Sequence, residues 1–198
     1  MIKNSVSDRN WILSKFDENK VKKVTQELGL SEVLCRLLAI RNVEADQSLD
    51  FLNPKIKNSM PNPFLLKSMD EAVKLIIKHI KEESQICIYG DYDVDGASST
   101  SILARFLRNF TSNFFIFIPD RIQDGYGPNL KIFEDIASRG VKLIITVDCG
   151  TTSFEPIEYA KSKNIDVVVI DHHQSTETLP KANAIVNPNR FDETSNLT

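Results

Sequence analysis

Gly90-Asp91-Tyr92-Asp93-Val94-Asp95-Gly96 sets three carboxylates at alternate positions between two glycines. Ionised carboxylates about 4 Å apart repel by roughly 4 kcal/mol at an effective dielectric near 20. A fold that gathers several of them therefore needs a cation, a shared proton or good access to water. The spacing matches the opening of a calcium loop, but such a loop needs a bidentate glutamate at its twelfth position, where this chain has Ile102. It also needs a helix in front, and here the apolar run Ile86-Cys87-Ile88-Tyr89 reads as a strand. The calcium loop is excluded on both counts.

Further groups with the same chemical character recur along the chain. Asp148 lies in Thr146-Val147-Asp148-Cys149-Gly150, and Asp171-His172-His173 follows Val169-Ile170. Carboxylates mixed with imidazoles, without thiolate, suit Mn²⁺ or Mg²⁺ better than zinc. Cys149, beside Asp148, is expected to pack rather than to ligate or attack, since a nucleophilic thiol needs a base beside it. Arg121, in Pro119-Asp120-Arg121, offers a guanidinium to a phosphate, and Tyr126, in Gly125-Tyr126-Gly127-Pro128, a ring to a base or sugar. Arg190, in Asn187-Pro188-Asn189-Arg190, is a weaker phosphate-binding candidate.

The elements that must position these groups alternate from Gln85 onward. Strands are predicted at Ile86–Tyr89, Phe114–Ile118, Leu143–Val147 and Val167–Ile170, with a short fifth at Ala184–Val186. Helices are predicted at Ala97–Arg108, Asn129–Arg139 and Phe154–Lys163, the first with Ile102, Leu103, Phe106 and Leu107 on one face. Near-continuous apolar strands joined by helices imply an α/β fold, a parallel sheet covered by helices on both faces. Ligands bind such sheets beyond the carboxyl ends of the strands. All three acidic groups follow predicted strands, so they should emerge at one sheet edge. Several bridging carboxylates there would hold two cations, and a cation pair serves phosphoester hydrolysis.

The first 59 residues read as a small helical segment without chemistry of its own. Trp11, Ile12 and Leu13 open it, and Val21, Val24 and Leu28 recur at helical spacing before Gly29, a helix stop. A second helix from Ser31 would bury Val33, Leu34, Leu37 and Leu38, and a third runs from Asp46 to Leu52, ending against Pro54. Residues 60–84 form a connector and a helix with a capping box at Ser68-Met69-Asp70-Glu71. Val73, Ile76, Ile77 and Ile80 form the apolar face of that helix, with His79 on its solvated side. Residues 85–198 form the α/β domain.

Composition bounds the remaining possibilities. With 198 residues, 41% hydrophobic and 26% charged, the chain is an ordinary globular one. Its net charge, 24 − 27 = −3, advertises no nucleic-acid partner but permits a local basic groove. Cys35, Cys87 and Cys149 are widely spaced and read as free buried thiols of a reducing, cytoplasmic compartment. No apolar run reaches the roughly 18 residues of a membrane span, so no membrane partner is expected.

With these residues in view, the chain resembles the DHH phosphoesterase superfamily and, within it, the RecJ single-strand-DNA exonucleases. Gly90 to Gly96, Val147-Asp148-Cys149-Gly150 and Asp171-His172-His173 resemble that family's first three motifs in order. Arg41-Asn42-Val43, Phe51-Leu52-Asn53-Pro54 and Pro61-Asn62-Pro63-Phe64 resemble its helical N-terminal segment. Arg121 with Gly125-Tyr126-Gly127, and Asn187 to Arg190, recur there too. The resemblance implies a 5′→3′ exonuclease acting on single-stranded DNA with Mn²⁺ or Mg²⁺, in repair and recombination. It implies Asp93, Asp95, Asp148 and His172 as ligands, with Asp91 as a further candidate. It also implies His173 on the scissile phosphate and Arg121 at the 5′ end. Tyr89 stands where the superfamily's pyrophosphatases and small-oligonucleotide hydrolases carry a histidine, which favours the exonucleases. The family pattern continues past this length with a fourth-motif aspartate, a DHH-associated domain and a single-strand-binding barrel. The expectation is a fragment, or a chain completed by a partner, with weak or absent processive activity alone. A hydrolase of short oligonucleotides or cyclic dinucleotides, and a non-catalytic remnant that binds metal or a partner, stay open as alternatives.

Overall fold

The computed structural model describes residues 12, 14–195 and 197. Trp11 and Leu13 lie outside the described residues. Two compact units divide at Pro61 and Asn62.

The first unit holds α1 (Glu18–Leu28), α2 (Glu32–Ile40), α3 (Ala45–Leu52) and the single turn α4 (Ile56–Ser59). Asp17 caps α1 by accepting the Asn19 amide at 2.8 Å, and Gly29 ends it in the left-handed region at φ 63°. Val21, Val24, Cys35, Leu38, Ala39 and Val43 form its core. The expected stripe on α2 is corrected: Val33 is 70% exposed and Leu37 44% exposed, while Cys35 and Ala39 are buried. Small residues let α2 approach α1 closely; Leu38 of the expected stripe is buried with them, while Val33 and Leu37 are left outside.

The second unit opens with a 3-10 turn (Pro63–Leu65) and α5 (Met69–Lys81). It continues through β1 (Ile86–Gly90), α6 (Val94–Leu107), β2 (Phe114–Phe117), α7 (Leu130–Ser138) and β3 (Leu143–Val147). It closes with α8 (Phe154–Ser162), β4 (Asp166–Ile170) and β5 (Ala184–Val186). The strands form one parallel sheet in the order β2-β1-β3-β4-β5. Side chains alternate across it. Cys87, Tyr89, Ile144, Val167, Val169 and Ile185 face α7 and α8, packing on Phe133, Ile136 and Ile157. Ile86, Ile88, Leu143, Ile145, Val168 and Val186 face the other way, with Ala72 of α5 and Ala104 and Leu107 of α6. Both faces are covered, which is why β1 and β3 are buried along their whole length and read as near-continuous apolar runs.

Local expectations on α6 and α5 are corrected. α6 begins at Val94 because Asp93 caps it, its Oδ1 accepting the amides of Asp95 and Gly96 at 3.0 Å each. Its buried face is Gly96, Thr100, Ala104 and Leu107, and Ile102 (70%) and Phe106 (50%) are exposed. Ser68 makes no capping bond; it sits at φ 62°, and its Oγ accepts Arg190 Nη1 at 3.1 Å. On α5, Ile77 faces outward and His79 is buried, its Nε2 2.9 Å from Asp166 Oδ2 at the start of β4. A charge partner below the sheet keeps this histidine out of solvent.

The register sets the level of the site. Gly90, Val147, Ile170 and Val186 are paired in one row across β1, β3, β4 and β5. The next residue of each strand is therefore Asp91, Asp148, Asp171 and Asn187, four buried polar side chains on one rim. The order of strands reverses between β1 and β3, the place where open parallel sheets bind ligands.

Candidate metal centre

Asp91 is 1% exposed, and its Oδ1 accepts the Tyr92 amide at 2.7 Å. Asp93 sits one turn further on as the cap of α6. The amides of Gly96 and then Asp95 hold its carboxyl below the usual range, with Asp148 contributing between them. Gly96 is required here, since a Cβ on it would lie 2.3 Å from the Asp91 carbonyl oxygen.

Asp148 follows β3 in the left-handed region, at φ 63°, and its amide donates to the Ile170 carbonyl at 2.9 Å. Its Oδ1 lies 3.0 Å from Nε2 of His172. Burial, reinforced by the Asp93 carboxylate, pushes Asp148 up to about 6. Among the described residues, Asp91, Asp93 and Asp148 bring one carboxylate oxygen each within 4.8 Å of one another, and Asp148, His172 and His173 do the same with their ligand atoms. The two groups share Asp148, so they form one continuous site.

Two buried carboxylate oxygens in this site, Asp91 Oδ2 and Asp148 Oδ2, have no hydrogen-bond partner among the described residues. A buried acceptor without a donor costs on the order of 1–3 kcal/mol, more when charged. A divalent cation removes that cost and the repulsion together, so the donor set fits one. A carboxylate-rich donor set without sulfur suits Mn²⁺ or Mg²⁺ better than zinc. Cys149 is turned into the core, 1% exposed, and burial raises its thiol well above the ordinary value.

Asp171 takes no place in either group. Its Oδ1 accepts the amides of His172 (2.7 Å) and His173 (3.1 Å) and lies 2.8 Å from His173 Nδ1; its Oδ2 accepts the Thr151 amide at 3.0 Å. Burial pushes its carboxyl up, but the bonds from His173 and Thr151 outweigh burial and hold it low. Burial likewise pulls His173 down, and Asp171 outweighs that and raises it. The other ring nitrogen, Nε2, lies 3.1 Å from Tyr126 Oη.

The remaining predicted residues are placed as follows. Arg121 stacks its guanidinium 5.4 Å from the ring centroid of Tyr92. The Tyr92 ring meets Tyr126 edge-on at 6.4 Å, which ties Arg121 to the site through two rings. Tyr89 is fully buried and donates to the Gly127 carbonyl at 2.9 Å, anchoring the loop that carries Tyr126. Asp95 is exposed on the first turn of α6, outside both groups. Arg190 is engaged away from the carboxylates, by Asp192 at 2.8 Å, the Ile185 carbonyl at 2.6 Å and Ser68 Oγ at 3.1 Å. Sequence reasoning missed Tyr92 and Thr151 as parts of this site. Tyr92 stood inside the acidic motif and was the detectable one.

Comparison with known proteins places these motifs in context. The DHH family model, N-terminal domain, matches residues 85–198. The chain is 38% identical over 183 residues to the single-stranded-DNA-specific exonuclease RecJ of Bacillus subtilis, covering 92% of this chain and 23% of that protein. It is 37% identical over 164 residues to the Escherichia coli protein of the same name, covering 82% and 28%. The crystal structure of exonuclease RecJ bound to manganese superposes with a TM-score of 0.60 at 31% identity, over 65% of this chain and 33% of that one. RecJ in complex with Mn²⁺ from Thermus thermophilus shares the fold at a TM-score of 0.67 and 24% identity, over 92% of this chain and 25% of that one. The chain spans about a quarter of the length of the curated relatives it matches.

Proposed function

The chain belongs to the DHH family, and from that premise we propose that it forms the metal-binding part of a 5′→3′ exonuclease acting on single-stranded DNA. The observation that carries this reading is the pair of unpartnered buried oxygens, Asp91 Oδ2 and Asp148 Oδ2, beside His172. Asp91, Asp93, Asp148 and His172 would hold Mn²⁺ or Mg²⁺, two ions in the complete site. Such ions supply Lewis acidity toward phosphoryl oxygens and toward water. Asp171 accepts from Nδ1 of His173 and favours the protonated ring, whose Nε2–H can then donate to a phosphate oxygen. Arg121, held over Tyr92, takes the terminal phosphate, and the exposed Tyr126 ring gives a base a surface to stack on.

The coverage of a quarter of the relatives' length supports a second reading for the chain by itself: it binds metal, and a further domain or partner chain completes the DNA channel. The three buried free thiols support a reducing, cytoplasmic setting. Among the described residues no helix is long and apolar enough to cross a membrane.

Calorimetric titration with MnCl₂ and a nuclease assay on 5′-labelled single strands test both readings. Metal binding that is lost in Asp93→Ala and His172→Ala, with Mn²⁺-dependent shortening from the 5′ end, supports the exonuclease. Metal binding without cleavage supports the second reading. No metal binding by the folded wild type refutes both.

A further inference from the structure

The structure assigns the loop Asn187-Pro188-Asn189-Arg190 the role of a buckle that sets the position of His172 and His173, with Asn187 and Asn189 as positioning residues. This rests on the proposed metal site. Asn187 follows β5 and is fully buried. Its Nδ2 donates to Thr151 Oγ1 at 2.8 Å and to the His173 carbonyl at 2.9 Å, and its Oδ1 accepts the Asn189 amide at 2.7 Å. The Nδ2 of Asn189 donates to the His172 carbonyl, and the Asn189 carbonyl accepts Ser175 Oγ at 3.0 Å. The backbone of the two histidines is thereby fully accounted for: Asp171 accepts both amides, and the two asparagines donate to both carbonyls.

The far end of the buckle is fastened by Arg190. It donates to the Ile185 carbonyl at 2.6 Å and to Ser68 Oγ at 3.1 Å, and pairs with Asp192 at 2.8 Å. Pro188 removes one backbone freedom from the loop between them. A carboxamide is the one side chain that fits Asn187, because the position needs two donors and one acceptor in a plane. Turning the amide over would set its oxygen against the His173 carbonyl. The buckle thus links the loops after β3, β4 and β5 through one side chain, and holds a turn whose ring atoms must meet Asp148 across the gap.

The test compares Asn187→Asp, which keeps the acceptor and removes both donors, with Asn189→Ala and with Ile136→Val, a core change on α7 away from the loop. Readouts are MnCl₂ affinity by calorimetry, the imidazole ¹H–¹⁵N resonances of metal-free protein, and Tm. Loss of such outer bonds weakens metal binding about 10–100-fold, so that range is expected in both asparagine variants, with less than about a twofold change in Ile136→Val. Both histidine rings should shift in the metal-free asparagine variants and stay in place in Ile136→Val. Unmoved rings, or an affinity loss matched by Ile136→Val, overturn the buckle. Should wild type itself bind no Mn²⁺, the metal reading fails, and the ring resonances decide the buckle alone. If Asn187→Asp does not fold, Asn189→Ala carries the comparison.

Discussion

Nε2 of His172 lies 3.0 Å from Oδ1 of Asp148, joining the ends of β4 and β3 above the sheet. The imidazole leaves Asp148 Oδ2 buried and unpartnered, so the contact completes half of the carboxylate's needs. That half-satisfied state governs how the metal-free protein should respond to substitution and to pH.

Asp148→Asn should raise the Tm of the metal-free protein while abolishing its stabilisation by MnCl₂. A carboxyl raised in the fold to about 6 by burial, then by Asp93, costs stability as pH climbs from the ordinary carboxylate range through that value. The gain is expected at pH 8, at about 2–4 °C per kcal/mol for a chain of this size, and should vanish at pH 4. Thermal melts with and without MnCl₂ at the two pH values check it. A variant less stable than wild type at pH 8 contradicts the account.

Gly96→Ala should damage the site without touching a ligand. The added Cβ would meet the Asp91 backbone at 2.3–2.7 Å, and backbone cannot yield as a flexible side chain does. Overpacking of this kind costs about 1–3 kcal/mol, and here it also displaces the first carboxylate from the second. Denaturant unfolding and Mn²⁺ titration should both register the change.

His79→Ala should separate stability from chemistry. The His79–Asp166 contact, at 2.9 Å, lies at the amino end of β4, below the sheet and away from the metal centre. Loss of a buried polar partner costs about 1–3 kcal/mol. Urea unfolding should show that loss, while MnCl₂ affinity stays that of wild type. A parallel fall in metal affinity would show that the two ends of the sheet are coupled.

Asp192 should stay ionised to low pH. Arg190, then Lys67, holds its carboxyl down to about 2. A depressed carboxylate contributes stability that is full above its unfolded value and is lost as pH falls through the folded one, so the loss is expected between about pH 4 and 2. Asp192 itself is half-exposed, which limits Asp192→Asn to about 1 kcal/mol or less above pH 4. Carboxyl NMR titration measures the first value and urea unfolding the second.

The sheet was legible because parallel strands buried on both faces are near-continuously apolar, as Leu143–Val147, with Thr146 the exception, and the core of β4 are. Strand ends alone brought Asp91, Asp93, Asp148 and the histidines to one rim, and with them Asp95 and Asp171, which take no place in either ligand group. Helical periodicity was less informative. It reports which residues share a stripe, not which stripe finds a partner, so Ile102 and Phe106 of α6 face outward where Gly96, Thr100 and Ala104 pack. His79 and Asn187 were illegible for another reason: their partners, Asp166 and the His173 carbonyl, are distant in sequence and carry no local pattern.

Gly90, Val147, Ile170 and Val186 share one rung of the sheet, and this makes the chain unequally tolerant of changes in length. Side chains alternate between faces, so inserting or deleting one residue within a strand would turn the polar group at its tip from the rim into an apolar layer. Loops entering the strands from below, such as Arg139 to Lys142, can grow or shrink without moving that rung. The histories of related sequences should therefore record length variation beneath the sheet and almost none within the four strands that end together.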